Sequence, residues 1–248
     1  MEWDEPGIVL SLRPYGEGDA VANVMTLEHG AHRGLARGAL SRRDAATWQP
    51  GNAIQVRWVG RLADQLGTYS AELVHAAAAL AMDDRLALTL LAAACAVADG
   101  ALPEREAHPR VFEGLLRLVA GIPAGALGPA ALIRWEVLLL ADLGYGLDLS
   151  RCAVSGATDG LAWVSPRTGR AVSDAAAGIW KEKLLRLPKL LLAEAGDAAT
   201  PEDWYAGLRL TGHFLARDAF GIHHRPLPQP RLALYDLIEK LAGENNGG

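Results

Sequence analysis

Short runs of alternating apolar and polar residues dominate the chain up to about Leu73, and such alternation is the signature of half-buried strands. Gly7–Arg13 (GIVLSLR) is a first strand candidate. Ala20–Leu27 follows, between the glycines 16 and 18 and the turn signal His29–Gly30. Arg33–Ala39 and Ala53–Gly60 come next, and Tyr69–Leu73 offers a closing strand. In Ala53–Gly60 the pattern places Ile54, Val56 and Trp58 on one face and Gln55, Arg57 and Val59 on the other. Strands this short at this spacing predict a small barrel or sandwich. Near Ser70 the period changes to that of helices. The pattern predicts helices over Ala71–Ala81, Arg85–Asp99, Pro109–Ala120 and Pro129–Leu143. The last carries Leu132, Trp135, Glu136, Leu139 and Leu143 on one side, with Gly144 and Gly146 at its end. Ser150–Ser173 breaks the helical texture and holds one β-like fragment, Leu161–Val164. Thr200-Pro201-Glu202-Asp203 reads as an N-cap with proline in the first turn and an acid at the third position. It predicts a helix over Pro201–Ala219, then a proline-punctuated loop, a helix over Arg231–Leu241 and a fraying tail, Gly243–Gly248.

Composition narrows the class. Half of the 248 residues are apolar, which is ample for a packed core and argues against disorder of the whole chain. Two cysteines, Cys95 and Cys152, exclude a disulfide framework and suit a reducing compartment. The acidic start, Met1–Pro6, does not resemble a secretory signal, and the longest apolar stretch, Leu86–Ala98, is too short to span a bilayer. A cytoplasmic protein is expected.

The net charge is −5, so any affinity for nucleic acid must come from a local patch. One such segment exists. Between His32 and Arg61 lie Arg33, Arg37, Arg42, Arg43, Arg57 and Arg61 against a single acid, Asp44. Trp48, Trp58 and Tyr69 are nearby stacking candidates. Arginines beside aromatic platforms are how small barrels hold single strands, neutralising phosphates while bases stack. The same residues also fit a solvated arginine face over a tryptophan core, and for Trp58, on its alternating strand, the core is favoured.

Motifs for catalysis are missing. There is no phosphate-cradling glycine loop, no HExxH and no Gly-x-Ser-x-Gly. His223 and His224 are adjacent and diverge, with His213 ten residues before. Asp83-Asp84 and Glu202-Asp203 read as helix-start residues. From Cys152 the spacing of a zinc ribbon selects Cys152, Ser155, Ser173 and Ala176, of which one alone is a thiolate. No metal and no cofactor is expected.

Four blocks of sequence resemble the bacterial RecO family. Gly30–Leu73 has the family's glycine, basic strand, Ser-Arg turn and Gln-Pro-Gly element, ending in Glu-Leu. His108–Gly121 (HPRVFEGLLRLVAG) is similar to its "HPxxF" helix. Leu132–Cys152 carries Arg134-Trp135-Glu136, Leu143-Gly144-Tyr145 and the cysteine at the family spacing, and Arg225–Leu234 (RPLPQPRLAL) resembles its ending. The resemblance implies an α+β protein. An N-terminal OB-fold barrel over residues 1–80 precedes an α-helical domain over 81–248, with a degenerate zinc-ribbon-like insertion at 150–176 that lacks the metal ligands of many relatives. It implies a non-enzymatic mediator of recombinational DNA repair. Such a protein binds single- and double-stranded DNA, anneals complementary strands and, with RecR, helps load RecA onto DNA coated by the single-strand binding protein SSB. The acidic SSB C-terminal tail is expected at Arg134, with Arg110 and Arg117 on the preceding helix. The alternative is an adaptor that docks SSB or another protein without touching DNA.

Overall fold

The computed structural model describes residues 1–62, 65–192 and 199–245. Residues 246–248 of the expected fraying tail lie outside them. The chain divides into two compact units, Met1–Gly128 and Pro129–Gly248.

The first unit is built on five strands: β1 (Glu2–Tyr15), β2 (Asp19–Thr26), β3 (Gly30–Ala36), β4 (Ala53–Val59) and β5 (Thr68–His75). They close into a barrel of order β1-β2-β3-β5-β4. All pairs are antiparallel except β3 with β5. This is the OB-fold arrangement that the resemblance implies. Closure falls to β1, whose first half pairs with β4 and whose second half pairs with β2. A register shift between Val9 and Ser11 marks the changeover. There the Val9 amide donates to Asn52 O and the Val9 carbonyl accepts from the Gly51 amide. A bulge bends the strand while leaving its backbone satisfied. Gly7 sits where the walls come closest, and a Cβ there would lie 2.6 Å from Val24.

The interior is filled by Val9, Ala20, Ala22, Val24, Ala36, Ile54, Val56, Trp58 and Tyr69. The period-2 reading of β4 holds, with Ile54, Val56 and Trp58 buried and Arg57 and Val59 exposed. The helix expected over Ala71–Ala81 is a correction. Residues 71–75 continue β5, and only a single turn, Ala77–Leu80, is helical. Alanine and leucine favour helix locally, but the unbroken ladder from Val59↔Thr68 to Ile54↔Leu73 outweighs that preference.

Two helices complete the unit, α1 (Arg85–Ala101) and α2 (Pro109–Gly121). Asp84 caps α1 by accepting from the Leu86 and Ala87 amides. Asp99 of α1 ties the helix to the barrel wall, accepting from Ser11 at 2.8 Å and from Asn23 at 2.7 Å.

The second unit contains α3 (Pro129–Asp142), a small sheet of β6 (Leu161–Val164), β7 (Ala171–Ser173) and β8 (Leu185–Arg186), then α4 (Pro201–Phe214) and α5 (Gln229–Asn245). The sheet order is β7-β6-β8. The capping box at Thr200 and Asp203 is formed. After Phe214 the helix widens into a π-type turn as far as Phe220. Helix α5 runs further in both directions than its sequence pattern predicts.

A buried ion pair joins the three long helices. Arg231 of α5, with 1% of its side chain exposed, meets fully buried Glu136 of α3 at 2.5 and 3.0 Å. The guanidinium also donates to Leu208 O and to the Thr211 hydroxyl on α4. Removing one partner leaves the other charge buried and alone. Arg231→Met and Glu136→Gln are each expected to cost about 3–5 kcal/mol in urea unfolding of the full chain. The double change to Met and Leu is expected to cost less than the sum of the two singles.

Candidate nucleic-acid interface

The β3–β4 connection starts at the edge of the barrel. Gly38, in the left-handed region at φ 66°, turns the chain out of β3. Its amide donates to Asp19 at 2.7 Å, and the Leu40 amide donates to Gly18 O. Both bonds tie the connection to the β1–β2 turn. Ser41 and Asp44 form a local turn, the Asp44 amide donating to the Ser41 hydroxyl. Trp48, 4% exposed, drops into the barrel and packs 6.1 Å from Tyr69, ring centre to ring centre. With both ends fixed, Arg37, Arg42 and Arg43 are left on the outside of one connection. The Arg43 side chain is 93% exposed, and its nearest carboxylate, Asp44, is 3.8 Å away.

The remaining arginines of the segment are placed differently. Arg33, on the outer face of β3, is engaged by Glu104 at 3.1 Å. Arg57, on the outer face of β4, is engaged by Glu2 at 2.6 Å, and its ladder partner on β1 is Asp4. Strand β5 separates β3 from β4. The structure therefore gathers Arg37, Arg42 and Arg43, and does not bring Arg33 and Arg57 to them. Arg61 is exposed just after β4. The three aromatic residues named as stacking platforms, Trp48, Trp58 and Tyr69, are all core residues, between 1% and 4% exposed. The core alternative therefore holds for them: strand alternation turns Trp58 and Tyr69 inward, and Trp48 reaches the interior from the β3–β4 connection.

Residues that sequence reasoning passed over also lie here. Arg13 is exposed on β1 and pairs with Val21, which pairs with Leu35, the row that precedes Arg37. At the barrel mouth Trp3 stacks between His29, at 4.5 Å, and Trp58, at 6.0 Å. The signal for Trp3 was present: Glu2-Trp3-Asp4 alternates in register with the strand that follows. The acidic character of Met1–Pro6 masked it.

The arginines proposed for the SSB tail occupy helices. Arg110 and Arg117 are exposed on α2, and Arg117 stands 3.9 Å from Glu113. Arg134 is exposed on α3, with Nε donating to Leu190 O at 3.1 Å. In the second unit, the thiol of Cys152 accepts from the Ser155 and Ser173 amides and from the Ser173 hydroxyl at 3.3–3.5 Å. Ser155 and Ser173 stand at the ribbon's ligand spacing, so hydrogen bonds to one sulfur tie together what four thiolates would tie to zinc. One thiolate and two serines do not fit that ion. The donors, Ser155 foremost, pull the thiol below its ordinary range, against the burial that pushes it up. Among the described residues no cluster of three or more His, Cys, Asp or Glu is placed to hold a metal. No helix among them is long and apolar enough to cross a membrane.

The sequence matches two family models, "Recombination protein O N terminal" over residues 1–77 and "Recombination protein O C terminal" over residues 82–226. The chain belongs to the RecO family. Proteins named DNA repair protein RecO are similar over almost all of their length. The one from Gluconacetobacter diazotrophicus is 59% identical over 97% of this chain and 96% of its own. That of Acidiphilium cryptum is 57% identical over 99% of each, and that of Rhodospirillum centenum 44% identical over 97% and 96%. The RecO C-terminal model begins at residue 82, just before the Asp84 cap of α1.

One titratable group in the barrel reports on its packing. His32 is buried against Trp3, Trp58 and Tyr69, and the Tyr69 hydroxyl donates to its carbonyl at 2.9 Å. Burial, then the Arg105 charge, holds its pKa below the ordinary 6.5. A base with a depressed folded pKa is neutral in the fold while the unfolded chain takes up the proton. Stability is therefore full above the unfolded pKa and falls as the pH drops below about 6.5. The melting temperature is expected to fall between pH 7.5 and 5.5, and to fall less in His32→Gln.

Proposed function

We propose that this RecO-family chain is a non-enzymatic recombination mediator of DNA repair, active in the cytoplasm at the nucleoid. It binds single- and double-stranded DNA and anneals complementary strands. With RecR it helps load RecA onto single strands coated by SSB. The observation that supports DNA binding most directly is the β3–β4 connection. It displays Arg37, Arg42 and Arg43 on an OB-fold barrel while the chain as a whole carries −5. Annealing brings two polyanions together, and an exposed cationic connection lowers that repulsion without reading sequence. Arg13 and Arg61 extend the same charge. Arg33 and Arg57 face acids and contribute less, although the sequence reading included them. For the acidic SSB tail the cations are Arg134 of the second unit and, separately, Arg110 and Arg117 of the first. The pairing of Arg33 and Arg57 with acids is also what favours the adaptor alternative, in which the barrel docks a protein and makes no contact with DNA.

Fluorescence anisotropy of a labelled single strand at two salt concentrations tests the reading. Wild-type protein is expected to bind in a salt-sensitive way, and an Arg37/Arg42/Arg43 charge reversal to lose most of that affinity. Failure of the wild type to bind at low salt favours the adaptor. Single changes sharpen the location. Arg42→Ala is expected to flatten the salt dependence by about 0.7 in log–log slope, the share of one phosphate contact on a single strand. Arg57→Ala is expected to leave the slope nearly unchanged, since Glu2 already neutralises it.

A further inference from the structure

At the mouth of the barrel lies an open cleft of about 440 Å³, lined by Met1, Trp3, His29, His32, Trp58 and Arg105, with Glu2 and Glu28 at its rim. That volume is within the roughly 300–1,000 Å³ range of small-ligand pockets. Its walls are mostly planar rings. Trp58, Trp3 and His29 form a column with interplanar angles of 14° and 12°. Trp58 is closed off inside the core, while the His29 side chain, at the other end, is 36% exposed. The column thus ends in a ring that is partly open to solvent. Three acids nearby are engaged, and Glu28 also lines the cleft. Glu5 is held by His29, Glu2 by Arg57, and Glu104 by Arg33 and Arg105. A cleft with flat walls and balanced charge suits a planar, uncharged group and gives little to a phosphate.

The cleft is also joined to the cationic surface. The Met1 ammonium donates to Gly60 O at 2.7 Å, and the Gly60 amide donates back to Met1 O at 3.0 Å. Exposed Arg61 is the next residue. Arg61 thus follows directly on the residue that holds Met1 at the cleft.

We infer that this cleft takes one unstacked base of a single-stranded nucleic acid, stacked on the outer face of His29 at the end of the Trp58–Trp3–His29 column. The inference rests on single-strand binding by the barrel as proposed above. It divides the labour, with phosphates at the arginine connection and Arg61 and a base at the mouth. Stacking of this kind is tolerant of sequence because every base has a π-face.

The test compares two probes with the same number of phosphates, a short oligothymidylate and a strand of the same length made of abasic residues. Full-length wild-type protein is expected to prefer the oligothymidylate by about tenfold, toward the low end of measured stacking contributions. His29→Ala is expected to bring that ratio close to one while the affinity for the abasic strand stays as it was. His29→Phe, which restores a flat ring, is expected to recover the preference. Circular dichroism melting confirms that each variant is folded. Equal wild-type affinity for both probes, or a ratio that His29→Ala leaves intact, overturns the base site and leaves phosphate binding standing. Wild-type protein that binds neither probe at low salt overturns the DNA-binding reading and this inference with it.

Discussion

The barrel depends on one strand having two partners. At 14 residues β1 is long enough to pair with β4 over its first half and β2 over its second. The bulge at Val9 turns it from one wall to the other, and residues Gly51 and Asn52 satisfy the backbone it frees. Closure removes the open edges that a five-stranded sheet would otherwise expose. The same closure sets the positions of the candidate residues. It carries Trp3 across to His29 and His32, and it brings the β1–β2 turn under the connection that bears Arg37, Arg42 and Arg43.

Charge on this unit is sorted by position. Arg33 on β3 is matched with Glu104 and Arg57 on β4 with Glu2, while Arg13 stands exposed on β1. The β3–β4 connection carries Arg37, Arg42 and Arg43, all exposed, with Asp44 as the one acid beside them. An acidic chain is thereby able to present a basic surface, because net charge is a sum while counterion release is a local event. In the second unit the charges are handled in the opposite way. The Arg231–Glu136 pair is withdrawn from water and crosses three helices, where it fixes how they meet and contributes little by comparison with an apolar replacement.

Much of this was legible in the residues. The period-2 alternation of Ala53–Gly60 identified the inward face of β4 correctly, and Thr200 through Asp203 announced the start of α4 with its capping box. Glu136 was grouped with the apolar side of α3, although only the fold shows that Arg231, far away in sequence, makes that burial tolerable. Ala71–Ala81 misled because alanine and leucine describe local preference while a β-ladder with β4 is a long-range contact. At the interface, the basic segment was visible as a count of arginines. Which of them share a surface was not, since that depends on strand order, and β5 comes to lie between β3 and β4. The aromatic column combines Trp3, His29 and Trp58, which no single stretch of sequence brings together.

In the proposed binding mode, nucleic acid meets the first unit at the β3–β4 connection and the pole of the barrel beside it. Hydrogen exchange of the full chain, followed with and without a saturating single strand, tests it without any substitution. Slower exchange at residues 37–49 and in the β1–β2 turn, with the second unit unchanged, is the predicted result. Protection confined to the helices of the second unit, with the arginine connection exchanging as in the free protein, would contradict the claim.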